Sequence, residues 1–329
     1  MGVDKPMMRL FKITPAIKNA LEILRNCGLM TAKLDFYGVK CEVVSNSTNL
    51  IRHITSVYNY FIDNSTVKRN NIRLFAFTND SPIYEEVMKK IFPHKKFRYN
   101  CLIVPNYGLI YMISKYSNLA YYTTACLIHQ VEVRLDNRFF LLHAAGLAKD
   151  HIGVIIAGEQ NCGKTTLTLG LLSRGFKFSS DDVVLFERKT KKVKPFPRML
   201  NIRRDTIETI KELERMLDVE QPFKILDEER WFLQVTENVV DEFIPNMLLF
   251  PCGFEKEARV ESVPKTKACL KLLHHCISPI TPEKYTFNSA TNFESASDLV
   301  EIVKCYNLYI GELEETLDLI TSTGGKKNE

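Results

Sequence analysis

The stretch 151-HIGVIIAGEQNCGKTTLTLGLLSRG-175 decides how the chain is read. Its β-branched and apolar start predicts a buried strand. The run Gly158, Glu159, Gln160, Asn161, Cys162, Gly163, Lys164, Thr165 then fills the pattern GxxxxGK[ST], and Thr166 to Arg174 has the character of a helix. Two glycines permit a compact loop whose backbone N–H groups face phosphate oxygens, and the helix start that follows adds favourable electrostatics for anions. In that setting Lys164 reaches the terminal phosphates, the Thr165 hydroxyl is placed to ligate Mg²⁺, and Thr166 completes the nucleotide-contacting run. Cys162 is small enough to fit inside the loop, which outweighs its reading as a reactive thiol.

After the predicted helix, Ser180-Asp181-Asp182 opens the apolar run 183-VVLF-186. A carboxylate at a strand edge beside such a loop is the expected second half of a magnesium and nucleotide site, because Mg²⁺ takes oxygen ligands and keeps part of its water. Neighbouring side chains on an ideal strand point to opposite faces, so joint use of Asp181 and Asp182 requires a bend or bulge. On the other side of the loop, 139-FFLLHAAGLAKDHIGVIIAG-158 reads as a hairpin returning into it, with His143 able to orient an acid or exchange a proton. Arg198, in 195-PFPRMLNIRRDTIETI-210, is the first choice for clamping a phosphate or carboxylate, while Arg203 and Arg204 suit the start of the next helix. The basic run 188-RKTKKVK-194 is expected to be a solvated turn between strands.

The ordered set 143-HAAG-146, 158-GEQNCGKTTL-167, 174-RGFKFSSDDVVLF-186 and 195-PFPR-198 resembles the C-terminal domain of HPr kinase/phosphorylase and its wider group of kinase-like proteins. That group shares a nucleotide-binding arrangement with phosphoenolpyruvate carboxykinase. The later 248-LLFP-251 and 304-KCYNLYIGELEETLDLI-320 resemble its distal strand and terminal strand and helix, so the likeness spans residues 139–320. The resemblance implies that Lys164 contacts the transferring phosphates and that Thr165 and Asp182 lie on the magnesium side. It implies further that Asp181 is the acid beside the accepting hydroxyl, with His143 accompanying it. Two departures separate the chain from HPr kinase itself: Thr166 stands where an acidic residue follows the loop hydroxyl, and the Glu-containing, glycine-rich signature downstream has no equivalent. Serine phosphorylation of a sugar-transport carrier is therefore not what the resemblance implies here.

The implied architecture is α/β: an HPr-kinase-like core with a P-loop and a mixed β-sheet over residues 116-320, a smaller N-terminal mixed αβ domain over 1-115, and a flexible tail over 321-329. The 329 residues suit about two domains, and 45% apolar with 25% charged residues excludes a predominantly disordered chain. In the first domain 41-CEVVS-45 and 72-IRLFAF-77 read as strands, the run from Ile51 to Ile62 is ambiguous between helix and strand, and a helix is expected around residues 121–133. The basic stretch 89-KKIFPHKKFR-98 reads as a solvated helix end rather than a nucleic-acid surface, and a net charge of +5 does not ask for nucleic acid as a partner. Nine cysteines without a CxxC pair read as reduced thiols. The stretch 266-TKACLKLLHHC-276 reads as a helix with a thiol face rather than a metal site, and Trp231 as a packing residue. No run of about 18 apolar residues is present to cross a bilayer, so a cytoplasmic protein is expected, without membrane partners and open to homo-oligomerisation.

Together these readings predict a kinase using ATP and Mg²⁺ to phosphorylate a hydroxyl on a small molecule or a peptide. An ATPase and a nucleotide-controlled binding module share the same loop. A peptide-modifying serine kinase of a biosynthetic cluster is a special case of the first reading, and carboxykinase chemistry lacks a second-metal and oxoacid site in the match.

Overall fold

The computed structural model describes residues 9–24, 28–65, 71–93, 99–211, 223–225, 228–277 and 289–325. The chain forms two compact units, Met1–Arg134 with Phe223–Glu229, and Leu135–Pro222 with Arg230–Glu329. The sequence reading began the second domain at residue 116, whereas in the structure the helix starting there is grouped with the first unit.

The first unit is a six-stranded sheet in the order β1 (Arg9–Lys12), β6 (Leu109–Ile113), β5 (Asn100–Val104), β4 (Ile72–Phe77), β3 (Val39–Ser45), β2 (Met30–Phe36). The β3 and β4 pair is parallel and the others are antiparallel. A parallel neighbour needs a crossover, and α2 (Thr48–Val57) supplies it. This resolves the ambiguous run. Ser47 caps the helix by accepting from the Leu50 amide at 3.3 Å, and Leu50, Ile54 and Val57 fall on one buried face. β-branched residues are tolerated there because burial of that stripe outweighs their weak helix propensity. Helices α1 (Pro15–Leu24) and α3 (Tyr84–Ile91) cover a core of Ile17, Leu21, Phe75, Phe77, Val87 and Ile103. The helix α4 (Tyr116–Leu135) is longer than expected. Of the basic stretch after residue 88, residues 94–98 lie outside the described residues.

The second unit is built on a six-stranded mixed sheet ordered β10 (Lys177–Ser180), β8 (Ala144–Lys149), β9 (Ile152–Ala157), β16 (Met247–Phe254), β18 (Lys304–Ile310), β17 (Arg259–Ser262). In it β9, β16 and β18 run parallel. Strand β9 is apolar throughout because both its faces are covered. Ile155 and Ala157 enter a core with Leu248, Phe250 and the helices α7 (Lys265–His274) and α8 (Ser289–Ile302). Val154 and Ile156 face α5 (Lys164–Ser173) and α9 (Leu313–Gly325) through Leu167, Leu171, Leu317 and Ile320. A second, antiparallel sheet joins β7 (Phe139–Leu142), β11 (Val184–Glu187) and β12 (Val193–Lys194). The hairpin that returns into the glycine loop is β8 and β9, while β7 pairs in the smaller sheet, so His143 stands where the chain passes between sheets. Strands β13 (Leu200–Ile202) and β15 (Glu228–Leu233) pair through residues 231–233 beside α6 (Arg204–Thr209), while β14 (Phe223–Ile225) is grouped with the first unit. Trp231 is buried with Phe178, Leu200, Ile202 and Ile207, as a packing residue should be.

Two local expectations change. α9 continues to Gly325, so the first five positions of the expected tail are helical, with Gly324 buried; residues 326–329 lie outside the described residues. The 188–194 turn is not merely solvated. Arg188 donates to Asn292, Asp136 and Ser295, Lys191 pairs with Asp298, and Lys192 and Lys194 share Glu242. No described helix is long and apolar enough to cross a membrane.

Candidate functional site

Parallel strands β9, β16 and β18 end at the same edge of the sheet, and the loop 158–163 leaves β9 there to start α5. The loop has room for no extra atoms at its first glycine: a Cβ on Gly158 would stand 2.6 Å from Cys162 Sγ. Gly163, the residue preceding the helix, has φ +93, a left-handed geometry suited to glycine. Lys164 folds back over the loop, its Nζ donating to the Gly158 and Glu159 carbonyls at 2.7 Å each. Burial pushes the Cys162 thiol up in pKa more than the nearby Lys164 charge lowers it, which keeps it a protonated packing group at neutral pH.

Asp181 and Asp182 lie in a bend between β10 and β11, after a register irregularity in β10, so the bend required by their joint use is present. They turn to different partners. Asp181 is buried and accepts from the Thr165 hydroxyl at 2.8 Å and the Thr168 hydroxyl at 3.1 Å. Burial, with the adjacent Asp182 charge, pushes its pKa up to about 6, against the downward pull of the two hydroxyls. Asp182 is half-exposed and pairs with Arg198 at 2.7 Å.

His143 contacts the backbone carbonyl of Asp182 through Nδ1 at 3.2 Å. A carbonyl only accepts, so Nδ1 carries the proton and the neutral ring's Nε2 is left as an acceptor. Burial, then the charge of Lys164, lower the His143 pKa and favour that neutral ring. The backbone N–H of His143 is fixed by the carbonyl of His275, just past α7.

A cavity of about 590 Å³ joins these groups. His143, Gln160, Asn161, Gly163, Lys164, Thr165, Thr166, Asp181 and Asp182 line it. Gly158, Glu159, Cys162 and Arg198 do not; Arg198 reaches the site through Asp182 and Lys164 covers the Gly158 and Glu159 carbonyls. Glu159 instead pairs with His274 at 2.9 Å on the outer side of the loop. The sequence reading missed Thr168, which was legible as the residue one helical turn beyond Thr165. It also missed Thr206, Arg230, Phe254 and Leu313 on the cavity wall, which come from distant segments and carry no local motif.

The donor set available to a cation is a hydroxyl and carboxylates. All are oxygen, as Mg²⁺ prefers, and few, as suits an ion that keeps its waters and binds largely through substrate phosphates. Among the described residues no three His, Cys, Asp or Glu side chains gather into a self-sufficient metal cage.

No family model matches the sequence, and a search of curated proteins finds no match. Among solved structures, the chain is similar to the Hpr(Ser) kinase/phosphatase from Coxiella burnetii. The identity is 16% and the TM-score 0.26, over 56% of this chain and 93% of that one.

Proposed function

We propose that the second unit binds ATP with Mg²⁺ at the 158–166 loop and transfers the terminal phosphoryl group to a hydroxyl of a small molecule or peptide. The observation that carries this reading is the meeting, in one cavity, of Lys164 and Thr165 with two adjacent carboxylates of unlike environment and a neutral histidine. A loop that only held phosphate would need no such proton-handling group at its edge.

The geometry supports a division of labour opposite to that implied by the resemblance. Asp181, tied to Thr165, suits the magnesium side, and the two would hold the ion, directly or through its water. Magnesium, when bound, would supply positive charge that offsets the charge of the nucleotide phosphates. Asp182 opens toward the cavity and suits the acceptor. It takes the hydroxyl proton as the acceptor oxygen bonds to the γ-phosphorus and the bond to the departing ADP oxygen breaks, which balances the transfer. Arg198 holds the Asp182 carboxylate in place, and His143, held by the Asp182 carbonyl, offers Nε2 to orient the hydroxyl. Lys164 leaves the loop carbonyls to neutralise charge on the transferring oxygens.

Labelled ATP with Mg²⁺, incubated with the full chain and pools of metabolites and peptides, tests the reading. We expect label on an acceptor and loss of at least about a hundredfold in rate for Lys164→Ala, in a variant that stays folded. Phosphate release to water alone would make the protein an ATPase. ATP binding without transfer or hydrolysis would make it a nucleotide-controlled binding module.

A further inference from the structure

The cavity extends past the loop on the side away from Asp181. There the carboxyl ends of β16 and β18 stand side by side, with Phe254 and Ile310 paired in register, followed by Gly311 and Leu313 at the start of α9. Ligands of open α/β sheets bind at the carboxyl ends of parallel strands, so this edge continues the ground already occupied by the loop on β9. Its chemistry differs. Ile310 is buried and closes against the loop, its Cδ1 lying 3.1 Å from where a Cβ on Gly163 would be. Phe254 has its ring edge 3.6 Å from the same point, yet it is 69% exposed.

A large aromatic ring left in water beside a polar phosphate-binding loop is unexplained by packing within the unit. Phe254 does not belong to either core cluster that the central sheet forms with its helices. Its open face, with Ile310 and Leu313 beside it, matches a flat, apolar-faced ring that arrives tethered to phosphates. A nucleobase is such a ring, and aromatic stacking accepts it whatever its hydrogen-bonding edge.

We propose that Phe254, with Ile310 and Leu313, forms the nucleobase shelf of this site, so that base stacking on Phe254 supplies affinity that the loop alone does not. The inference rests on the nucleotide reading above. It makes Phe254 a binding residue that acts on nucleotide affinity and leaves the transfer step to the groups around Asp182.

Calorimetry on the full chain with Mg²⁺ separates base from phosphate when ATP is compared with its abasic analogue, ribose 5-triphosphate. We expect the wild type to bind ATP at least about tenfold more tightly than the analogue, the scale of one aromatic stack. Phe254→Ala should bring the two affinities together by weakening ATP alone. Phe254→Trp should restore the difference, and its indole emission should respond to ATP but not to the analogue, since Trp231 is buried and the sole native tryptophan. An unchanged ratio in Phe254→Ala overturns the shelf, as does equal loss of both ligands, which would make the ring a support for the loop. Unaltered ATP affinity with a raised KM for the acceptor overturns it too, by assigning Phe254 to the other substrate. If the wild type binds neither ligand, the nucleotide reading itself fails and takes the shelf with it.

Discussion

At the scale of single residues, the Asp pair shows how two identical side chains, adjacent in sequence, acquire different chemistry. Asp181 sits under two threonine hydroxyls away from water, and Asp182 faces the cavity with an arginine at its side. The folded pKa of Asp181 lies above its unfolded value of 3.8, so the folded state binds the proton more tightly. The associated stability is therefore fully present at low pH and is lost as the pH rises through about 6. Asp181→Asn removes the buried charge and keeps a group that can bond both hydroxyls. We expect it to stabilise the ligand-free protein at pH 7.5 by about 1–3 kcal/mol, read as a higher urea midpoint, with the gain shrinking as the pH is lowered toward 4. The same substitution should weaken Mg²⁺-dependent ATP binding, whereas Asp182→Asn should spare most of that affinity and lower the transfer rate by about a hundredfold or more. Magnesium titrations of both variants beside their transfer rates check the division; the reverse pattern would return Asp182 to the metal side.

The elements that position these residues are specified unevenly. Strand β9 is legible as an apolar run, but its fit depends on a glycine that has no motif. A Cβ on Gly153 would stand 2.6 Å from both the Ile244 carbonyl oxygen and a ring carbon of Phe243. The backbone carbonyl cannot swing aside as a side chain could. Gly153→Ala should therefore destabilise the second unit by about 1–3 kcal/mol, as overpacking in a close-packed interior does. A thermal melt checks this, with Gly325→Ala, where a Cβ meets nothing within 4 Å, as the matched control. Helix α2 teaches the complementary lesson. Its β-branched sequence hid a helix whose evidence lay in the Ser47 cap and the spacing of Leu50, Ile54 and Val57, both visible in the sequence once read at the helical period.

For the molecule as a whole, two units with separate cores bear on how ligand affects stability. The proposed nucleotide site draws its groups from the second unit alone. Saturating Mg²⁺ and ATP should then stabilise that unit by about 2.7 kcal/mol at a hundred times Kd, read as a higher calorimetric transition temperature. Leu74→Ala, in the core of the first unit, should lower the transition of the first unit and leave the ligand-induced shift in place.

What the sequence determined by itself was whatever depends on neighbours along the chain. The strand, loop and helix around Gly158 to Thr166, the α/β class, the packing roles of Cys162 and Trp231, and the helix carrying Cys269 and Cys276 nearby all follow from local period and residue type. The tertiary structure decided what depends on residues brought from afar. Whether Asp181 or Asp182 faces Thr165 depends on how the bend after β10 is held against α5. The tautomer of His143 depends on the Asp182 carbonyl, 39 positions away in the chain. Phe254 carries no motif in the sequence, and only the parallel pairing of β16 with β18, beside β9, leaves its ring exposed at the edge of the 158–163 loop. Local sequence sets backbone preference because those energies are summed over neighbours; it is silent on the direction of a side chain at a site assembled from several distant segments, because that direction is set by packing between elements.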